Sequence, residues 1–371
     1  MAKQGDNIYK RKDGRYEGRY LKGYKANRAP LYGYVYGSTC EECKKKLEPF
    51  KIKYQCPPNA SGFTGMFSDY AISWLKITVR EKEIKPSTYD SYYRDIHNHI
   101  IPGLGEKLPH MLSETDIEDF LHRLSVKGLS EGTVAKVMRR LSAIIGKAYE
   151  DGIIVDDICK KIKKPRKKKK SITVLTRTAQ HLLEKVCEQE KTGLLPVLAL
   201  YTGMRVGEIS ALKWIDVDLD EGLVYVRETA QRLNNYDDYK VKTELCFGSP
   251  KTETSERIIA IPQKLISYLR EHRKKAVCEY VISCKGHIAE PRVCQYRFES
   301  LLKKAGIERM NFHSLRHTYA TRCWEEGMDE KTLSELMGHS SVEMTFRYGC
   351  ALVEHKKKAV MLLDNVVQIT A

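Results

Sequence analysis

At 371 residues the chain exceeds the size at which one hydrophobic core keeps growing, so two or three domains are expected. Its 64 Lys and Arg outweigh 48 Asp and Glu, and the net charge of +16 attracts polyanions, nucleic acid first, and repels cationic partners. With no run of eighteen apolar residues, no apolar segment behind a basic amino terminus and eleven scattered cysteines, a soluble cytoplasmic chain with reduced thiols is expected rather than a membrane or disulfide-rich one.

Residues 1–64 hold ten Lys and four Arg against six acids, together with eight of the 22 tyrosines. Gly14-Arg15-Tyr16-Glu17-Gly18-Arg19-Tyr20 and Leu31-Tyr32-Gly33-Tyr34-Val35-Tyr36 alternate residue types and are punctuated by glycine, which predicts short antiparallel strands, followed by a helix near Thr39–Lys46. A small sheet projecting Arg and Tyr from one face suits insertion into a DNA groove. Cys40 and Cys43 have the spacing of half a zinc site, but only Cys56 is close enough to add a ligand, so free thiols are expected there. Pro57 to Gly65 reads as a linker, and a helical region of roughly Met66–Ile162 follows.

Within that region Ser87 and Thr88 can start a helix, Ser113 caps a second that Gly128 ends, and Ser130 caps a third. The third carries Val134, Val137, Leu141, Ile144 and Ile145 as an apolar stripe, with Lys136, Arg139, Arg140 and Lys147 on its other faces. Such a basic side suits backbone phosphates. Lys160 to Lys170 holds nine basic residues and no acid, a composition that forms a tether rather than a core.

From Ser171 a mixed α/β segment begins. Leu195 to Leu200 leads into Thr202-Gly203-Met204-Arg205 and a helical Val206–Leu212, and Leu223–Arg227 and Arg257–Ile261 read as strands with the turn Gly248-Ser249-Pro250 between them. Helices dominate beyond Pro262. Gly327 ends the helix that bears His313 and Arg316, Asp329 caps the next, Gly338 ends that one before His339, and Ser341 starts a short helix leading to Tyr348. The tail has a basic patch, His355 to Lys358, ahead of an apolar stretch, the pattern of an amphipathic helix.

Splitting a phosphodiester requires cations on the nonbridging oxygens, a nucleophile, and a proton for the departing oxygen. Arg205 and Arg316 offer planar forks that hold two phosphate oxygens at once, and Tyr348 offers a phenol that becomes nucleophilic among cations. Each residue also has a plainer reading. Arg205 could simply pair with Glu208 on a helix surface, Lys251 is one of several turn lysines with Lys240 and Lys242, and Tyr348 is one tyrosine among many. His313 and His317 share a helical face at zinc-ligand spacing, but Ser314 stands where a zinc hydrolase carries Glu, so His317 is expected to pack or to orient its neighbours.

Taken together, these motifs resemble the tyrosine recombinase family. Thr202-Gly203-Met204-Arg205-Val206-Gly207-Glu208 is similar to its first arginine motif, Pro250-Lys251-Thr252 with Arg257-Ile258 to its strand-turn lysine, and His313 to Arg316 to its second box, with His339 and Tyr348 completing the order. The basic Tyr-rich front, the helical middle and the long insertion between Arg205 and Lys251 look like integrases of conjugative transposons and temperate phages. The resemblance implies a multidomain α+β fold: a small N-terminal three-stranded sheet with a helix, a helical core-binding (SAM-like) domain, and a mixed, mainly helical catalytic domain with a small antiparallel sheet. The implied boundaries are 1–56 for an arm-site DNA-binding domain, 57–65 and 163–171 for linkers, 66–162 for the core-site domain, and 172–371 for the catalytic domain with its tail helix.

The resemblance further implies that Tyr348 attacks phosphorus to leave a 3′-phosphotyrosine, that Lys251 protonates the departing 5′-oxygen, and that His313 and His339 assist proton transfer and hydrogen-bond the phosphate. The covalent link conserves the bond's free energy, so no cofactor, metal or nucleotide hydrolysis is implied. Implied partners are double-stranded DNA at core and arm sites, three further copies in a homotetramer that passes through a Holliday junction, an excision factor and a host DNA-bending protein, with no membrane. A catalytically dead DNA-binding regulator and a site-indifferent type IB topoisomerase are the alternatives; the intact set of six residues disfavours the first and the basic front domain the second.

Overall fold

The computed structural model describes residues 7–24, 30–54, 63–82, 84–163, 172–236, 242–248, 256–346 and 361. Lys251, Tyr348, Cys56, most of the basic run and the tail beyond Ala351 except Met361 lie outside the described residues. The chain divides into two compact units, Met1–Lys169 and Lys170–Ala371. Among the described residues no helix is long and apolar enough to cross a membrane.

The first unit opens with three antiparallel strands in the order β1 (Ile8–Lys10), β2 (Tyr16–Tyr24) and β3 (Pro30–Gly37). Helix α1 (Cys40–Tyr54) follows and runs about two turns beyond the expected Lys46. Tyr9 and Tyr36 pair with Glu17, and Tyr34 with Arg19, so strand alternation sets Tyr9, Glu17, Arg19, Tyr34 and Tyr36 on one face. The other face carries Gly18 and Val35 against α1. A Cβ on Gly18 would meet Cys43 Sγ at 3.0 Å and Leu47 at 3.1 Å, so the glycine is what lets the helix approach. Cys43 is buried in that contact and its thiol donates to Val35 O at 3.8 Å, a packing role.

The helical region consists of α2 (Phe67–Lys82), α3 (Pro86–Asp95), α4 (Ile101–Leu104), α5 (Glu114–Val126) and α6 (Glu131–Glu150). Pro86 occupies the first turn of α3 with Lys85 as its uncapped N-terminus, so Ser87 and Thr88 lie inside the helix rather than starting it. Between α3 and α4 the helix widens to a π turn over Ile96–Ile100, because Pro102 has no amide hydrogen for the carbonyl four residues back. Ser113 caps α5 in a reciprocal capping box with Asp116, and Ser130 caps α6 by accepting from Thr133 N–H, both as expected. The expected stripe of α6 is buried. Its basic side is less solvated than the sequence suggests: Arg140 lies 2.9 Å over the Tyr92 ring and near Asp95, and Lys136 pairs with the buried Asp95 at 2.8 Å.

The second unit contains α7 (Arg177–Gln189), α8 (Leu194–Thr202), α9 (Val206–Ala211), β4 (Val217–Asp218), β5 (Leu223–Val226), β6 (Thr229–Asn234), β7 (Thr243–Gly248), β8 (Arg257–Ala260), α10 (Gln263–Lys274), β9 (Ser283–Cys284), β10 (His287–Ile288), α11 (Pro291–Lys304), α12 (His313–Glu325) and α13 (Glu330–Met337). The two expected strands do pair, β5 with β8, and β4 completes a three-stranded antiparallel sheet. They are not joined by a single turn, however. An additional hairpin, β6 with β7, intervenes; β6 is mostly polar and β7 shows only the short alternation of Leu245 and Phe247, too little to mark a strand. Arg232 ties this hairpin to the start of α11 by a two-point ion pair with Glu290. Leu198, Ile209, Val224, Ile259, Leu269, Phe298 and Leu315 are among the buried residues of the core under the sheet and helices.

Candidate active site

The site grows from two helix ends closed by left-handed glycines. Helix α8 stops at Gly203 (φ +63°), where a Cβ would lie 2.5 Å from the Tyr319 ring and 3.0 Å from Met337 Sδ. Only glycine satisfies both the dihedral and the space. The chain then turns so that Arg205 stands in extended conformation at the N-terminus of α9. Glu208, three residues on, accepts the Arg205 backbone N–H at 2.8 Å and the Arg205 Nη1 at 2.7 Å. The surface pair weighed in the sequence thus exists, but it is no surface contact: the Glu208 side chain is 2% exposed and that of Arg205 36%.

Helix α13 ends at Gly338 (φ +58°), and its last carbonyls lack helical partners. Three guanidiniums from three separate elements take three successive ones. Arg257, at the start of β8, donates through Nε to Leu336 O at 2.7 Å; Arg316, in α12, donates through Nη2 to Met337 O; Arg205 donates through Nη2 to Gly338 O at 3.1 Å. Arg316 also donates through Nη1 to Gly203 O at 2.6 Å, which stitches the two glycine-closed ends together. Cations at the carboxyl end of a helix meet the negative end of its dipole as well as its unpaired oxygens. Arg316 is 2% exposed.

His339 follows Gly338 directly, and its Nδ1 shares a 2.9 Å hydrogen bond with Thr345 Oγ1, itself buried. Burial first, then the charges of Arg316, Arg205 and Arg257, lower the His339 pKa to about 4, so its imidazole is neutral at physiological pH. His313 opens α12 three residues before Arg316, with the His317 ring packed edge-on at 4.5 Å. His313 is exposed at the surface of the cluster; partial desolvation of its ring, then the charges of His317, Arg316 and Arg205, likewise lower its pKa to about 4. Burial pushes the Glu208 carboxyl up, but the Arg257 and Arg205 guanidiniums outweigh it and carry it down to about 2. Among the described residues, three guanidiniums against one carboxylate leave a local excess of positive charge, beside the neutral imidazoles of His313 and His339, which can accept protons.

Of the six predicted residues, Arg205, His313, Arg316 and His339 are brought into one cluster, while Lys251 and Tyr348 lie outside the described residues. The turn Val342–Met344 follows Ser341, though the Ser341 side chain does not cap it. Sequence reasoning named Arg257 only within the lysine motif and Glu208 only within the arginine motif and as a surface partner of Arg205, giving neither a role in the site, and it missed Thr345. Arg257 gave one signal, as a charged residue opening an otherwise apolar strand.

Residues 174–355 match the model of the phage integrase family. The tyrosine recombinase XerC-like protein of Caldanaerobacter subterraneus subsp. tengcongensis is 28% identical over 363 residues, 89% of this chain and 91% of its own length. Tyrosine recombinase XerA of Thermococcus kodakarensis is 31% identical over 248 residues, 65% of this chain and 78% of its own. Among solved structures, the Tn1549 transposon integrase in complex with transposon right end DNA has the same fold, with a TM-score of 0.68, 20% identity, and coverage of 80% of this chain and 98% of that one.

Proposed function

The chain belongs to the tyrosine recombinases of the phage integrase family, enzymes that break and rejoin DNA strands, and on that premise we propose that Tyr348 is its nucleophile and that Arg205, Lys251, His313, Arg316 and His339 activate the scissile phosphate. The observation that carries this reading is the meeting of Arg205, Arg316 and His339 around the carboxyl end of α13. In the proposed step the Tyr348 oxygen bonds to phosphorus and the bond to the 5′-oxygen breaks. The phenolic proton passes to a neutral imidazole, His313 or His339, and Lys251 supplies a proton to the departing 5′-oxygen. Arg205, the more exposed guanidinium, faces the nonbridging oxygens. Arg316 reaches them through the second hydrogens on nitrogens already anchored to Gly203 and Met337. Reversal by a different 5′-hydroxyl rejoins the strands.

At the finer level, the chain acts as a homotetramer on paired core sites, passes through a Holliday junction, and integrates and excises a mobile element such as a conjugative transposon or prophage in a bacterial cytoplasm. Residues 1–56 hold arm sites, through the sheet face bearing Tyr9, Arg19, Tyr34 and Tyr36; 66–162 and 172–371 grip the core site, with 57–65 and 163–171 as linkers. An excision factor and a host DNA-bending protein set direction. The test of the chemistry is a nicked duplex, chosen by in vitro selection for binding to the chain, that traps the covalent adduct. Wild-type chain is expected to form a phosphotyrosine adduct stable to denaturation, and Tyr348→Phe none. An adduct that survives in Tyr348→Phe overturns the assignment.

A further inference from the structure

The recombination chemistry uses Arg205 and Arg316, yet the described site holds a third guanidinium, Arg257, which that chemistry does not employ. Its side chain is only 5% exposed, and it sits on the one buried carboxylate of the site, donating through Nη2 to Glu208 Oε2 at 2.9 Å and through Nη1 to Oε1 at 3.3 Å. Glu208 is therefore shared between an inner arginine that is shut away from solvent and an outer one, Arg205, that is not. This sharing decides how much of the Arg205 charge is available to a phosphate. With two cations on one anion, a net positive charge remains in the cluster; with Arg205 alone, the carboxylate would cancel it, and strongly so at this depth.

Arg257 also ties together pieces of chain that lie far apart in sequence. It opens β8 opposite Val226, six residues after Lys251, and its Nε holds Leu336 O, three residues before His339. Strand β8 thus begins at the same residue that fixes the turn bearing the histidine.

We propose that Arg257 is a positioning residue for strand cleavage: through Glu208 it preserves the positive charge and pose of Arg205, and through the Leu336 carbonyl it holds the His339 turn, without itself touching the phosphate. The proposal rests on the assignment of Arg205 and His339 to the phosphate site.

Single-turnover cleavage of the selected nicked duplex by the full chain tests it, with DNA affinity and thermal unfolding measured in parallel. Arg257→Gln is expected to slow adduct formation by about 10–100-fold while affinity changes by less than about 3-fold. Arg257→Lys, which keeps the charge but not the fork, should fall between Arg257→Gln and wild type. The deciding variant is Arg257→Gln combined with Glu208→Gln, which removes both partners and restores the cluster's net charge. It is expected to cleave faster than Arg257→Gln alone, by about 5-fold or more. Wild-type rates in Arg257→Gln overturn the proposal. So does a double variant that cleaves no faster than Arg257→Gln, since a bare structural tether predicts that outcome. If Arg257→Gln does not fold, the double variant is read against wild type instead: cleavage within about 10-fold of wild type is expected, and a larger loss overturns the proposal. An adduct persisting in Tyr348→Phe would instead strike the assignment of the nucleophile and leave these rate comparisons to be read separately.

Discussion

Arginine is used in two opposite ways in this chain, and the contrast between the front sheet and the proposed cleavage site shows what burial does to a cation. On the sheet, Arg15 pairs with Asp13 at 2.9 Å, Arg11 pairs with Glu17 at 3.0 Å, and Arg19 lies 3.8 Å over the Tyr32 ring, with solvent near all three. Such contacts are weak and adjustable, which suits the proposed role of this sheet in settling onto DNA. In the site, Arg316 and Arg257 are enclosed and donate to fixed carbonyls and, for Arg257, a carboxylate. There the guanidinium is part of the framework, and its charge is held ready at no cost of reorganisation.

The sharpest way to break this contrast is to remove an arginine from each side. Arg316→Ala is expected to abolish cleavage, by about 1,000-fold or more, and to lower stability by about 2–4 kcal/mol, since the carbonyls of Gly203 and Met337 lose their donor inside the protein. Adduct yield and chemical denaturation check the two effects. A stable Arg316→Ala chain would mean that the enclosed arginine is not structural. Next in size, Gly203→Ala should cost about 1–3 kcal/mol, because it forces a left-handed alanine onto the Tyr319 ring; unfolding curves read this directly.

The pH dependence sharpens the same point. His339 has a folded pKa of about 4 against 6.5 for the unfolded chain, so the unfolded state binds more protons between those values. Its contribution to stability is complete above about 6.5 and is lost as pH falls toward about 4. Comparing His339→Gln with wild type across that window should show wild type losing about 1–2 kcal/mol more. Equal slopes would remove the histidine from the cationic cluster. The smallest effect lies on the front sheet: Arg19→Ala should shift stability by no more than about 0.5 kcal/mol, while lowering the salt slope of DNA binding by about one. A large stability loss there would erase the contrast.

The sequence made local devices legible and left long-range ones hidden. Ser113, Ser130 and Asp329 cap the helices that follow them, and Gly327 and Gly338 end theirs, because caps and left-handed glycines act over three or four residues. Arg205, His313, Arg316 and His339 were found by their order along the chain. The depth of Glu208 was not, since the spacing that gives a surface ion pair also gives a buried one, and only the packing around α9 distinguishes them. Arg257 acts on residues 49 and 79 positions away, a relation that no periodicity encodes. The β6 and β7 hairpin escaped for a different reason: it is held by backbone pairing and the Arg232 ion pair rather than by an apolar face.

The grip of three guanidiniums on the carbonyls of residues 336–338 carries a consequence for biosynthesis. A ribosome paused before that point has already made Arg205, Arg257 and Arg316, with the Gly203 carbonyl and the Glu208 carboxylate, but none of the three carbonyls on which they converge. The proposed cutting centre is thus completed only once residues 336–338 have been made, and a shorter nascent polypeptide, however basic and however attracted to nucleic acid, does not yet carry the assembled cluster.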